Sequence, residues 1–215
     1  AGCSPVLSNL RVLGNRARTG GGLYFNAKDG ETSPRIVNSA FVGNDNVMED
    51  FSTFFGDGGG IAFEDGFLDG RSSTAEVVGA LFAYNTARTL GGGIVAQADN
   101  LDLQITNTTF AANRAEGPKG GNRGPGRALS VDDGQVTMTN VIVTGAPPIE
   151  NNNLDGKALL ARSGGTITMS HSLLQWGTDD FESFSSGGSI AYLDASGQPV
   201  AFDASTNYRG PARYN

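Results

Sequence analysis

Two short motifs alternate along the chain in an order that never changes. That order restricts the fold more than any other feature of the sequence. The first motif has seven residues: NLRVLGN at 9–15, NSAFVGN at 38–44, GALFAYN at 79–85 and NTTFAAN at 107–113, decaying to NVIVTGA at 140–146 and HSLLQWG at 171–177. The second is a glycine-rich run opening an aliphatic stretch: GGGLYF at 20–25, GGGIAF at 58–63, GGGIVA at 91–96, GRALSV at 126–131, GKALLA at 156–161 and GGSIAY at 187–192. A third segment returns to the next unit as SPRIVN, AEVVG, LQITN, VTMTN or ITMSH. These returns alternate apolar and polar residues and are rich in β-branched ones, as half-buried strands require.

A unit of about thirty residues built from short strands is the signature of a solenoid. Helical repeats of similar period need two amphipathic helices per unit, and no such stripe is present. Propeller blades need hairpin turns, and Asn-Gly and Asp-Gly pairs are too sparse for them. What remains is an all-β, right-handed parallel β-helix of about six to seven coils, read as one domain over 1–215, since parallel crossovers favour the right hand. Val12, Phe41, Phe82, Phe110, Val143 and Leu174, fourth in each heptapeptide, are expected to stack in one inner column. Leu23, Ile61, Ile94, Leu129, Leu159 and Ile190, which follow the glycine runs, are expected to form a second. The glycines mark a corner where stacked backbones approach closely with positive φ. Asn15, Asn44, Asn85 and Asn113 end the heptapeptides at another corner. There the residue type tolerates the left-handed conformation, and its amide can bond along the axis as a ladder.

At these residues the chain resembles the paired Gly-Gly-Ala-Ile and Phe-x-x-Asn repeats of the chlamydial polymorphic outer-membrane proteins, and more widely the right-handed parallel β-helix repeat proteins secreted by bacteria. The likeness runs over about residues 5–195 and weakens after 115, where Phe-x-x-Asn is lost. It implies an extracellular or bacterial cell-surface protein, adhesin-like or a structural subunit of a larger assembly.

Composition trims the function classes. The net charge of −7 argues against a nucleic-acid partner. No stretch is apolar over the length of a membrane helix. One cysteine, Cys3, excludes an internal disulfide. The AGCS around it resembles the end of a bacterial lipoprotein signal, but Ala1 and Gly2, which cleavage would remove, still precede it, so a small residue in the first partial coil is the expectation.

The expected chemistry is binding rather than turnover. An acidic-glycan lyase needs a basic residue and a carboxylate neutraliser, and a hydrolase needs paired carboxylates on adjacent coils. Asp102 is the main outward charge on the strands, with no acidic partner evident one coil away, and the single histidine, His171, reads as structural. The stretch between heptapeptide and glycine run varies most in length, so its insertions should project from one side of the solenoid as a binding face. Phe51, Phe54, Phe55, Arg114, Lys119, Arg123, Arg127, Trp176, Phe181 and Phe184 lie there, aromatic and Arg types that interfaces enrich. The ligand is read as a protein partner or a surface glycan. Calcium is a candidate ligand of Asp45, Glu49, Asp50 and Asp57, oxygen donors in or beside one loop. Residues 199–215 are expected to cap the C-terminal end, and the first coil to be covered by another subunit or a missing region. The runner-up reading is a polysaccharide-active enzyme of lyase or hydrolase type.

Overall fold

The structure, a computed structural model, describes residues 4–26, 32–46, 57–64, 72–116, 126–145, 157–175, 181–183, 187–194 and 196–200, with the backbone alone for 181–183 and 200. It is an all-β solenoid of parallel sheets. Sheet 1 stacks the return segments: Val6–Ser8, Arg35–Val37, Ser73–Val78, Leu101–Thr106, Gln135–Thr139, Thr166–Ser170 and Ser189–Leu193. Sheet 2 stacks the heptapeptides: Arg11–Leu13, Ala40–Val42, Leu81–Ala83, Thr109–Ala111, Ile142–Thr144 and Leu173–Leu174. Sheet 3 is a narrow sheet that the motifs do not announce: Arg16–Ala17, Asp45–Asn46, Thr86–Ala87 and Arg114–Ala115. Sheet 4 holds the strands after the glycine runs: Leu23–Asn26, Ile61–Glu64, Ile94–Gln97, Leu129–Asp132, Leu159–Arg162 and Phe181–Ser183.

Among the described residues four turns therefore carry the full set of four strands, where the repeats predict six to seven coils. The fifth and sixth turns are described through three strands each, and Ser189–Leu193 extends sheet 1 beyond them. Pro199–Val200 then pairs antiparallel with that last strand; the rest of the expected cap, 201–215, lies outside the described residues. No helix among the described residues is long and apolar enough to cross a membrane.

The first inner column stands in register from Val12 through Phe41, Phe82, Phe110 and Val143 to Leu174. Its rings stack nearly parallel, with centroids 4.9 Å apart for Phe41–Phe82 and 5.1 Å for Phe82–Phe110. The second column runs from Leu23 through Ile61, Ile94 and Leu129 to Leu159. Ile190 is a correction, because it stands opposite Ile167 in sheet 1. The sixth place in sheet 4 belongs to Phe181, opposite Leu159. GGSIAY is thus a return segment: two glycines before an aliphatic residue mark any sharp turn into a strand.

The asparagines form a directional ladder. Asn44 donates from its backbone N and from Nδ2 to Asn85 Oδ1, each at 3.0 Å, and Asn85 repeats both bonds to Asn113 Oδ1 at 3.0 Å. Asn15 does the same to Asn44 at 3.1 and 3.0 Å. The left-handed positions lie elsewhere in the motif. They are its first residue (Asn9, Asn38, Gly79, Asn107, Asn140, His171) and its sixth (Gly14, Gly43, Tyr84, Ala112, Gly145), all with positive φ. The final asparagine is used for its amide rather than its backbone freedom.

Candidate functional site

The corner between sheets 4 and 1 varies along the axis. In the first two turns the links span 27–34 and 65–72, whereas later ones shrink to 98–100, 133–134 and 163–165. The short links are tight turns. Leu101 N donates to Ala98 O at 3.1 Å around Asp99 and Asn100. Asp133 and Gly134 both take positive φ, as do Ser163 and Gly164; Gly above all, and Asp, tolerate that region. Along this corner lies an open groove of about 530 Å³ lined by Ser72, Ser73, Thr74, Asp99, Asn100, Leu101, Asp102, Asp133, Gly134, Gln135, Gly164 and Thr166.

Two banks define the groove. Thr74, Asp102, Gln135 and Thr166 stand in register on successive strands of sheet 1 and point outward. The turns supply the other bank, with Asp99, Asn100 and Asp133. Among the described residues the lining holds three carboxyl groups, two carboxamides and several hydroxyls, and no Lys, Arg or aromatic side chain. The rung neighbours of Asp102 one coil away are Thr74 and Gln135, neither of them acidic, while the turns bring Asp99 and Asp133 into the same groove. Sequence reading missed this site because turn residues two positions apart in different coils carry no common pattern.

A second polar cluster lies on the outer face of sheet 4. Asp57 is buried, and its carboxyl accepts from Thr89 Oγ1, from Leu90 N at 3.0 Å and from Gln97 Nε2 at 2.7 Å. Burial pushes its pKa from 3.8 up to about 7, against the lowering effect of the Gln97 and Leu90 bonds and of the Arg162 charge, with Glu64 adding to the rise. Glu64 is raised by burial and lowered by accepting the Tyr24 hydroxyl at 3.0 Å, and its Oε1 is buried without a hydrogen-bond partner among the described residues. Burial first and Glu64 second hold the Tyr24 phenol up in turn. Arg162 Nη2 meets Asp132 Oδ2 at 2.5 Å in the neighbouring turns. Beside these groups Ala62, Val95 and Leu160, which alternate outward from the core, are buried with Leu90 in a small apolar cluster of their own.

The other expected site residues fall as follows. Arg127 is buried at the corner before Ala128, and Arg114 is exposed in sheet 3 with Glu116 Oε1 at 3.9 Å, so both stand in the solenoid wall rather than in a projecting loop. Phe181 belongs by its backbone to sheet 4. Phe51, Phe54, Phe55, Lys119, Arg123, Trp176 and Phe184 lie outside the described residues, as do Glu49 and Asp50. Of the calcium set, Asp45 faces Arg16 at 3.4 Å and Asp57 is enclosed as above. Among the described residues no group of three or more His, Cys, Asp or Glu side chains is placed to hold a metal ion.

No family model, no curated protein and no solved structure matches this chain.

Proposed function

We propose that the chain is a non-catalytic module of the extracellular space or cell surface that binds a glycan along the corner between sheets 4 and 1. The observation that carries this reading is the groove itself. Carboxyl, carboxamide and hydroxyl groups line a concave strip of several coils, and such groups exchange hydrogen bonds with sugar hydroxyls. The resemblance of the motifs to the chlamydial outer-membrane repeats supports a surface setting. The test is binding of the purified chain to neutral and acidic glycans, with product release measured in parallel. Saturable binding without new reducing ends supports the reading; binding to none of them removes it.

One observation favours the second reading, a polysaccharide-active enzyme: Asp99, Asp102 and Asp133 share one groove. Carboxylates on adjacent coils are what glycoside hydrolysis needs for its acid and base or nucleophile. Release of reducing ends that disappears in both Asp102→Asn and Asp133→Asn would install the enzyme reading in place of the binding one.

A further inference from the structure

The orientation and charge of the ligand can be read from the register of the groove. We infer that it takes an uncharged linear glycan lying parallel to the solenoid axis, with one sugar against each coil; this rests on the glycan-binding reading above. Thr74, Asp102, Gln135 and Thr166 are direct partners on four consecutive strands, so they form a straight row across the strands. Parallel strands repeat at about 4.8 Å, so the row spans about 14 Å. One sugar of an extended glycan chain advances by close to one such step. Every sugar therefore meets an equivalent position on the row, and the hydrogen-bonding groups keep pace with the ligand instead of drifting out of phase.

The chemistry of the two banks sets the class of sugar. Asp102 on one bank, with Asp99 and Asp133 on the other, offers acceptors for hydroxyl groups, while Gln135 offers both a donor and an acceptor. Among the described residues no Lys or Arg lines the groove, whereas Asp99, Asp102 and Asp133 do, and these carboxyls oppose a uronate or a sulfated sugar. No aromatic ring lines it among the described residues either, so the described lining offers no single sugar a stacking platform. Affinity must then accumulate along the chain, sugar by sugar, as the row is filled.

The experiment is titration calorimetry of the full chain with linear neutral oligomers of glucose, mannose and xylose, from two to six sugars long, and with polygalacturonate as the anionic probe. The expected result is that affinity for at least one neutral series climbs with length up to about four sugars and then levels. Gln135→Ala should weaken binding of the tetramer about tenfold, the scale of a lost hydrogen-bond pair. Thr166→Ala, at the end of the row as far as the described groove lining follows it, should move the plateau to three sugars and leave the shortest oligomers unaffected. Gln135 is exposed and Thr166 half-exposed, and unchanged thermal melting of both variants confirms that the fold is retained. Neutral binding that is independent of length, or a preference for polygalacturonate, overturns the axial inference while leaving glycan binding in place. Binding to no glycan at all removes both.

Discussion

Phe82 lies against Gly60 of the preceding turn so closely that a Cβ on that glycine would fall 2.9 Å from the ring's Cδ1 and 2.5 Å from Gly93 O. The same relation joins Phe41 to Gly22 and Phe110 to Gly93. The third glycine of each run and the heptapeptide Phe of the next turn are therefore one packing unit written in two motifs. Where Ala128 and Ala158 take the glycine's place, the following heptapeptides carry Val143 and Leu174 instead of Phe. Gly60→Ala should cost about 1–3 kcal/mol as overpacking, and Phe82→Ala about 3–5 kcal/mol as a cavity. Gly60→Ala should cost less when combined with Phe82→Leu than alone, because the smaller side chain relieves the contact with the ring while that with Gly93 O remains. Urea denaturation of the two single variants and the pair measures that coupling; strictly additive costs would refute it.

Asn85 is the centre of the amide ladder, and its loss should be felt on both sides. Its Nδ2 donates to Phe41 O at 2.9 Å, and its Oδ1 receives both bonds from Asn44. Asn85→Ala strands buried partners above and below it, at about 1–3 kcal/mol each. The expected destabilisation is about 2–5 kcal/mol by chemical denaturation. Asn15, exposed at the start of the ladder, should cost far less when replaced by Ala. Equal costs at the two positions would contradict the ladder as a source of stability.

The buried acid should make stability depend on pH with an unusual sign. Asp57 keeps its proton in the fold up to about 7, whereas the unfolded chain releases it near the ordinary 3.8. Between these values the folded state holds the extra proton, so stability is greatest on the acid side and is lost as pH rises towards 7, then levels. At about 1.4 kcal/mol per pH unit the slope accumulates to at most about 4 kcal/mol. Glu64, raised in the same direction, adds to it. Asp57→Asn should flatten this part of the profile and raise the melting temperature at pH 8. A wild-type midpoint that rises from pH 4 to pH 7 would show that the three hydrogen bonds, and not burial, set the charge of this carboxyl.

The parts of the fold that were legible are those where one side chain does the same task in every coil. The inner Phe column and the amide ladder are of that kind, because stacking puts like on like. Sheet 3 was not legible, since two-residue strands are too short to show alternation. The left-handed sixth position was hidden for another reason. It is imposed by the backbone and is filled by Gly14, Gly43, Tyr84 and Ala112 without a shared chemistry. The groove is harder still. It arises from links of unequal length that bring Asp99, Asp102 and Asp133 into one groove from two coils, and no single residue type occupies the same position in every coil there. Arg127, expected among the projecting insertions, is buried at the corner, a position that the length of the link does not reveal.

Calcium separates the acidic loop from the enclosed corner. Asp57 Oδ1 is engaged by Thr89 and Leu90 and Oδ2 by Gln97, so a cation would have to displace all three donors and ionise a carboxyl that burial keeps protonated up to about 7. Calcium takes six to eight oxygens from sites that can adjust around it. Asp45, the other described member of the set, already faces Arg16 in the adjoining turn at 3.4 Å. Millimolar calcium should therefore leave the melting temperature at pH 6 unchanged, and EDTA should not lower it. Were calcium to stabilise the wild type, Asp57→Asn would decide the ligand: loss of the shift would place the ion on Asp57 against this expectation, and a retained shift would place it on other oxygens.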